Sequence, residues 1–297
     1  MSYSLRRSPR ILAYLMLPAL AAPFGAHAQI ATPEPDPTQL VDRLIDEPRN
    51  DREVEIGLFS AYTPAFLGSK DYQLIAGPNI QVRYDRAFFS MQDGLGYDVI
   101  RSGGWRVGPT IGFRQGRREN GNSIFKIAGD GTDALRGLGK IEATAEAGGY
   151  VGYQSGNFAA KLDVRQALSG GQGLIATLGL HYVAAIPLSS ASNAQPIRIA
   201  MGPRVTAVDD KYNQTYFGVT AIQSSRSGLR QYDANGGLLS AGFGLSAHVP
   251  LTERISGAFL MGFDRLTGDA ARAPLVKDRG SRNQATVGLG LTYKFGL

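Results

Sequence analysis

Cysteine is absent from this chain of 297 residues. Its absence excludes disulfide scaffolds, cysteine-ligated zinc, iron–sulfur clusters and thiol nucleophiles. Histidine is also scarce: of the three in the chain, His27 lies in a segment that we expect to be cleaved, which leaves His181 and His248. Two isolated histidines make a weak case for a metal or catalytic site, so we expect no metal and no other cofactor.

Charged residues and long apolar runs are few as well. Asp, Glu, Lys and Arg make up 19% of the chain, against about 25% in average proteins. No run of about 18 apolar residues follows the N-terminal region, which excludes a protein that crosses a membrane with helices. Glycine is abundant, with 38 residues, and each glycine inside a helix costs about 1 kcal/mol relative to alanine. The composition argues against a mainly helical protein.

The first 28 residues have the pattern of a signal peptide. Three arginines precede an apolar run at 11–22, and Ala26-His27-Ala28 is a small-x-small cleavage site. The apolar run contains Pro18 and is shorter than the roughly 20 residues of a membrane-spanning helix. Cleavage removes three arginines and no acid, so the formal net charge falls from +6 to +3. We expect an exported chain that meets no nucleic acid.

Two regions follow the signal peptide. Residues 29–52 carry four prolines and little periodic structure, which predicts an extended periplasmic segment. Residues 53–297 alternate apolar residues with glycine, polar or charged residues, the period of a β-strand. In the last run, Val287, Leu289, Leu291, Tyr293, Phe295 and Leu297 alternate with Thr286, Gly288, Gly290, Thr292, Lys294 and Gly296.

The length of the alternating runs separates two kinds of β protein. A soluble sandwich also alternates, with its charged faces in solvent. These runs, however, have about 11 to 13 residues, whereas ordinary strands have about 5 to 6. Eleven residues tilted by about 45° cross about 25 Å, the height of the apolar band of an outer-membrane barrel. The eleven runs are 53–63, 73–84, 87–100, 104–116, 140–153, 158–166, 174–186, 197–208, 238–251, 255–266 and 285–297.

The polar side of these runs predicts a charged lumen. In a membrane barrel the apolar face contacts lipid, so the charged residues of the opposite parity point inward. Arg83 lies on this side, and the candidate lumen-facing residues are Arg106, Arg114, Glu142, Glu146, Lys161, Asp163, Arg165, His181, Arg198, Arg204 and His248. We assign the two histidines to a lumen hydrogen-bond network, with a catalytic base as the weaker alternative.

Strand number and ends follow from general properties of barrels. Single-chain bacterial barrels have even strand numbers, so one of the eleven runs is assigned wrongly. The turn dipeptide Asp93-Gly94 lies within run 87–100. This run is either two short strands, which gives twelve, or one strand with a bulge, with the twelfth strand elsewhere. We therefore predict an all-β, antiparallel transmembrane barrel of twelve strands, with ten as the alternative. The last strand should pair with the first and close the barrel.

Aromatic residues near strand ends fit an interfacial girdle, namely Tyr84, Trp105, Tyr153, Phe158, Tyr182, Phe263 and Phe295.

The connections predict an orientation. With the C-terminus in the periplasm, the long connections 117–139, 209–237 and 267–284 lie outside, and the tight turns 154–157 and 251–254 lie in the periplasm. The outer loops then bring six charges to one barrel mouth, namely Asp209, Asp210, Arg226, Asp278, Arg279 and Arg282. These charges either pair to fold loops over the lumen or are scattered surface charge near lipopolysaccharide.

Six ordered blocks between about residues 53 and 297 carry a family resemblance. They are PAFLGSKDY (64–72), DALRGLG (133–139), DVRQ (163–166), DKYNQTYFGV (210–219), RSGL (226–229) and DRGSRNQ (278–284). In these blocks the sequence resembles the MltA-interacting protein (MipA/OmpV) family of outer-membrane proteins. The resemblance implies a non-enzymatic barrel in the outer membrane of a Gram-negative bacterium, in contact with lipids and lipopolysaccharide, and transfers no catalytic residue.

The resemblance also implies a function. The family's namesake is implicated as a scaffold that joins a lytic transglycosylase to a penicillin-binding protein during peptidoglycan growth. Relatives are associated with adhesion and envelope stress. A scaffold is thus the expected role, with a small outer-membrane pore or a surface adhesin as alternatives. Acidic loop residues at 130–133 and 209–210 have the oxygen ligands that Ca²⁺ prefers, although solvated loop acids explain them as well.

Overall fold

A computed structural model describes residues 52–187 and 195–296. The predicted signal peptide and residues 29–51 lie outside the described residues. The strands are β1 Arg52–Pro64, β2 Tyr72–Tyr84, β3 Ala87–Ser90, β4 Gly94–Tyr97, β5 Ile100–Ser102, β6 Trp105–Arg114, β7 Lys126–Ala128, β8 Thr144–Ser155, β9 Phe158–Ala167, β10 Leu174–Ile186, β11 Ile197–Val208, β12 Gly237–Pro250, β13 Ile255–Leu266 and β14 Asn283–Gly296. The helices are α1 Asp210–Phe217, α2 Ala221–Ser227, α3 Gly268–Arg272 and α4 Pro274–Arg279.

The strands form one antiparallel sheet that closes on itself. β1 pairs with both β2 and β14, with Val54 opposite Phe295 at the closing seam. β4 and β5 both pair with β6 and act as one interrupted wall strand, whereas β7 is a short addition to β2. Across residues 52–187 and 195–296 the wall therefore has twelve strands. The predicted closure and the count of twelve are confirmed, and the alternative of ten is wrong.

The additional strand comes from run 87–100. Ser90 pairs with Gly94, so β3 and β4 form a tight hairpin. Gly94 has a φ of +78°, a left-handed conformation that glycine adopts without a steric penalty. Both strands have four residues, whereas the uninterrupted wall strands have 10 to 14. The wall is consequently shorter at this hairpin than elsewhere.

Side-chain exposure alternates along the wall strands. On β14, Leu289 and Leu291 are 60% and 54% exposed, and Leu58 on the neighbouring β1 is 68% exposed. Charged side chains of the opposite parity, such as Arg106 and Lys161, are buried in the lumen. This distribution is the reverse of that in a water-soluble protein, and it matches a barrel surrounded by lipid. Among the described residues, no helix has the length and apolar character needed to cross a membrane.

The two ends of the barrel differ. Tight turns, such as 156–157 and 251–254, connect strands at the end where β1 begins and β14 finishes. Long connections at 115–143, 209–236 and 267–282 lie at the opposite end. Short turns face the periplasm in outer-membrane barrels and long loops face outward, so we assign the second end to the cell exterior.

Exposed aromatic side chains surround the periplasmic end. They are Tyr84, Trp105, Tyr153, Phe158, Tyr182 and Phe295, whereas Phe263 lies near the outer end of β13. Trp105 and Tyr153 are cross-strand partners with ring centroids 4.6 Å apart, and the Phe158 and Tyr182 centroids are 5.4 Å apart. An aromatic girdle of this kind places the periplasmic ends at a lipid–water interface.

The long outer loops fold into a structured layer, which we call the outer cap (residues 65–71, 115–143, 209–236 and 267–282). One apolar cluster joins α1 to α3 and α4, with Phe217 and Ala270 fully buried. A second cluster joins Leu135 to Leu275 and to the outer end of β1. Local sequence starts the helices: Asp209 accepts the N–H of Tyr212 to cap α1. The outer mouth is thus covered by an apolar core of its own.

Candidate functional site

The barrel lumen collects most of the charged residues predicted for it. Arg106, Arg114, Glu146, Lys161, Asp163, His181, Arg198 and Arg204 are buried, and Arg165 and His248 are partly buried. The alternation of exposure along their strands places all ten on the inward side.

Glu142 does not face the lumen, contrary to the prediction from the sequence. The run predicted at 140–153 begins as a strand only at Thr144, so Glu142 lies in the outer loop before β8. Its carboxylate is exposed and pairs with Lys140 at 2.5 Å. Alternation placed it in the lumen only because the strand was extended by four residues too many.

A continuous set of ion pairs, the upper lumen network, joins β6, β8 and β9. Arg114 Nε donates to Glu146 Oε1 at 2.5 Å. Arg165 Nε donates to Asp163 Oδ1 at 2.7 Å and its Nη2 lies 3.4 Å from Asp93 Oδ1. Lys161 Nζ lies 3.9 Å from Asp163 Oδ2. Inward positions on adjacent strands bring these charges together, and removal of one partner would leave a buried charge uncompensated.

The upper lumen network continues into the outer cap. Arg114 Nη1 donates to the carbonyl oxygen of Gln172 at 2.7 Å, and its guanidinium lies 5.0 Å from the ring centroid of Tyr212 on α1. Tyr216, one turn later, donates its hydroxyl to Gln172 Oε1 at 3.0 Å. The lumen charges therefore help to hold α1 over the barrel mouth.

Across the lumen, Arg204 on β11 forms a bidentate pair with Asp264 on β13. Arg204 Nε donates to Asp264 Oδ1 at 2.9 Å, and Nη2 donates to Oδ2. The side chain of Arg204 is 4% exposed and that of Asp264 is 20% exposed. A planar guanidinium suits such a two-point contact with a carboxylate.

The periplasmic half of the lumen contains a second set of contacts, the lower lumen network, around Asp98. Asp98 is fully buried between β4 and β5. Its Oδ2 lies 3.6 Å from Arg83 Nη1 and 3.9 Å from Arg106 Nη2, and its Oδ1 accepts the hydroxyl of Tyr150. The Tyr150 ring packs against Phe88 at 5.9 Å. These side chains occupy the lumen below the upper lumen network.

The two histidines lie on the inward face. His181 is 4% exposed, and neither ring nitrogen has a hydrogen-bond partner among the described residues. The network that the sequence predicts for His181 is therefore not seen at this side chain. His248 lies opposite Arg198 across the β11–β12 ladder. A catalytic arrangement needs a base within hydrogen-bond reach of a nucleophile, and the surroundings of His181 do not provide it.

Between the upper lumen network and the outer cap lies a cavity of about 250 Å³, the lumen chamber. One side is apolar, with Phe59, Ile75, Phe125 and Leu260. The other side is charged and includes the upper lumen network and the Arg204–Asp264 pair. Phe125 enters from the loop before β7 and meets Phe59 edge-on, with ring centroids 5.9 Å apart.

The six predicted loop charges all lie at the outer mouth, but within the described residues they form no ion pair with one another. Asp210 accepts the N–H of Gly236 at 2.6 Å, and Arg282 Nε donates to the carbonyl oxygen of Ala271 at 3.0 Å. Arg279 donates to the carbonyl oxygens of Ala134 and Ser227. Asp209 caps α1, and Arg226 and Asp278 line a cleft on the outer surface. Four of the six charges, Asp209, Asp210, Arg279 and Arg282, are therefore held by bonds to the backbone and not by pairing with one another.

The structure also bears on the two loop segments considered for Ca²⁺. An oxygen each of Asp209 and Asp210 accepts a backbone N–H. Within the described residues, no group of three or more Asp, Glu, His or Cys side chains is arranged to hold a metal ion.

Sequence reasoning missed three acids that pair with lumen arginines. Asp264 is an inward residue of a correctly bounded strand, so the alternation rule applied to it would have found it. Asp93 lies in the β3–β4 turn and Asp98 lies where the wall strand is interrupted. At these two positions the alternation rule does not decide between the lumen side and the lipid side of the wall. Only the folded chain shows that both carboxylates are buried.

A family model described as "MltA-interacting protein MipA" matches residues 56–295. The chain belongs to this family. The match covers nearly the whole barrel, from β1 to the end of β14, and includes the six blocks that carry the resemblance. MipA family membership, together with the lipid-facing apolar wall, identifies the chain as a barrel of the outer membrane of a Gram-negative bacterium.

Solved structures similar to this MipA family member are other outer-membrane barrels. A NanC porin has 9% sequence identity and a TM-score of 0.39, covering 81% of this chain and 100% of that chain. The COG4313 outer membrane channel from Pseudomonas putida F1 has 11% identity and a TM-score of 0.43, covering 84% and 100%. No curated protein sequence matches the chain.

Proposed function

We propose that this protein is a non-enzymatic scaffold of the outer membrane that holds peptidoglycan-remodelling enzymes near the cell wall. The proposed partners are a lytic transglycosylase and a penicillin-binding protein. Membership of the family named after its interaction with MltA supports this role. The observation that carries it is the folded outer cap over the barrel mouth, because a barrel with a covered mouth acts through its surfaces.

Two layers of side chains oppose a pore function. At the outer mouth, Leu135 and Phe217 are fully buried in the apolar clusters of the outer cap. Toward the periplasm, the side chains of the lower lumen network occupy part of the lumen, with Asp98 at their centre. Conduction needs a continuous, hydrated path, and the apolar core of the cap lies over the outer mouth, where such a path would have to pass.

The periplasmic side provides the proposed contact surface. The turns at 85–86, 103–104, 156–157 and 251–254 are short and lie at the level of the aromatic girdle, so partners approach the membrane closely there. Residues 29–50, which precede β1, are the second element of the proposal. An extended proline-rich chain rises about 3.1 Å per residue, so 22 residues reach about 70 Å from the barrel. Binding two enzymes to one barrel raises their effective concentration for each other without a catalytic group here.

Affinity capture from crosslinked envelopes tests the scaffold. The full chain should recover a lytic transglycosylase and a penicillin-binding protein, and deletion of residues 29–50 should reduce that recovery. The matched control is Ile222→Ala, which changes an exposed side chain on the outer helix α2 and should leave recovery unchanged.

Absence of both enzymes from the full-chain capture would reject the scaffold. If binding to a host surface is instead lost after the outer loops 117–139 or 267–284 are trimmed, the surface adhesin becomes the better explanation. The ordered outer cap, with its two apolar clusters, is the feature that favours this second candidate.

Planar-bilayer recordings test the pore alternative. The intact protein should be nearly silent, and replacement of residues 210–235 by a short glycine–serine linker should open conductance because it removes α1 and α2 from the mouth. A stable, ion-selective conductance of the intact protein would favour the pore over the scaffold.

A further inference from the structure

The barrel wall has a gap in its outer half, between β2 and β6, because the β3–β4 hairpin is short. β3 pairs with β2 only from Gln81 to Tyr84, and β4 meets β6 only at Thr110 and Ile111. Beyond these pairs toward the cell exterior, β2 continues to Tyr72 with β1 on one side but with no full strand on the other. On that other side only β7, three residues long, pairs with β2 in the described chain. We call this opening the wall gap.

A few loop contacts border the wall gap. Gln92, in the hairpin turn, donates to Asn79 Oδ1 at 3.3 Å. Nearer the cell exterior on the same strand, Ala76 N donates to the carbonyl oxygen of Phe125 at 2.9 Å. Pro78 lies between these contacts on β2 and has no N–H to donate to a neighbouring strand. A continuous backbone ladder, as in the rest of the wall, is replaced here by single bonds.

The wall gap lies in front of the lumen chamber. Residues from each of its borders also line the chamber: Gln92 in the hairpin turn, Gln115 just beyond β6, Phe125 in the loop and Ile75 on β2. A molecule that passed between β2 and β6 from the outer leaflet would therefore arrive in the chamber. Molecules that enter from lipid carry an apolar part, and the Phe59–Phe125 side of the chamber provides an apolar surface for it.

The other side of the chamber has an excess of positive charge. Six cationic and four acidic side chains line it. Arg114 and Arg204 are both more than nine-tenths buried. Although each pairs with an acid, Arg114 Nη2 and Arg204 Nη1 have no hydrogen-bond partner among the described residues. A buried donor without a partner is costly, and a carboxylate is an acceptor that matches guanidinium groups.

We propose that the lumen chamber binds a small amphiphilic carboxylate that enters from the outer leaflet through the wall gap. The acid head contacts the guanidinium groups of Arg114 and Arg204, and the aliphatic tail lies against Phe59 and Phe125. The cavity of about 250 Å³ is larger than an engineered apolar cavity of about 150 Å³ that holds benzene, a molecule of six heavy atoms. A medium-chain acid such as octanoate, with ten heavy atoms, is the ligand class of matching size.

Titration calorimetry on the full chain in lipid nanodiscs tests this proposal, with empty nanodiscs as the reference. Octanoate should bind saturably at one site per chain, more tightly than acetate, which lacks the tail, and than octylamine, which has the opposite head charge. Arg114→Gln and Arg204→Gln should each weaken octanoate binding by about tenfold or more. The matched control is Arg198→Gln, a buried lumen arginine outside the chamber lining, which should leave the affinity unchanged.

Several results would overturn the proposal. No saturable octanoate binding to the wild-type chain would reject the site. Equal binding of acetate and octanoate would reject the role of the apolar wall, and equal binding of octylamine would reject the cationic head site. A loss with Arg198→Gln equal to that with Arg204→Gln would show a general effect on the lumen. If the arginine variants fail to assemble, the comparison of the three ligands on the wild-type chain still decides.

Discussion

The sharpest test of the barrel register compares two adjacent positions on β14. Leu289 lies at the middle of the strand, is 60% exposed and faces lipid. Gly290 faces the lumen, where an added Cβ would meet Ala258 Cβ at 3.4 Å and the Leu58 carbonyl oxygen at 3.7 Å, which are ordinary contacts. Arginine at a lipid-facing midplane position costs about 2 to 4 kcal/mol, a factor of about 30 to 1000 in the folding equilibrium.

Reversible denaturant unfolding in lipid vesicles measures the difference. Leu289→Arg should lower the free energy of unfolding by that amount, whereas Gly290→Arg should change it less, through crowding in the lumen. Leu289→Ala is the control for loss of the leucine itself. Each variant should migrate differently on gels before and after boiling, which shows that an assembled barrel was present. Equal destabilisation by arginine at 289 and at 290 would refute the assigned register.

Three further predictions concern the lumen and the outer cap. Asp264→Ala should destabilise the barrel by about 3 to 5 kcal/mol because it leaves Arg204 buried without its charge partner; the double variant with Arg204→Met should recover part of that loss in equilibrium unfolding. Leu135→Ala, at a fully buried cap position, should cost the cap about 2 to 5 kcal/mol, seen as faster protease cleavage of the outer loops with unchanged barrel mobility on gels. The pKa of Asp269 is lowered, chiefly by the hydrogen bond from the Asn235 backbone N–H. Its contribution to cap stability is thus present above the unfolded pKa of about 3.9 and is lost as the pH falls through the folded pKa. Pepsin cleavage of the cap should rise there, and Asp269→Asn should remove that pH dependence.

The wall strands were predictable because the bilayer imposes a period and a length on each of them. Runs at 174–186, 197–208 and 255–266 agree with β10, β11 and β13 at both ends. The boundaries failed where a loop happened to continue the alternation, as at 140–143 before β8. Run 87–100 required the turn chemistry of Asp93-Gly94 in addition to its period.

The charge pairing in the lumen was not predictable from alternation. Alternation gives the side of the wall on which a residue lies, but pairing depends on register and on distance across the lumen. Arg204 and Asp264 are 60 residues apart in sequence and meet because β11 and β13 flank β12. Asp98 lies at an interruption of the wall, where no periodic rule applies.

The amino-acid sequence by itself determined that the chain forms an antiparallel membrane barrel with apolar residues outside and charges inside, since each strand must satisfy lipid on one face and water on the other. The tertiary structure alone decided what covers the outer mouth. The apolar core of the outer cap joins residues from four separate loops, such as Phe66, Leu135, Val219 and Leu275, and no local pattern within one loop specifies which others it packs against. The wall gap was also decided by tertiary structure. The short β3–β4 hairpin leaves a gap only because β2 and β6, its neighbours in space, extend further toward the cell exterior.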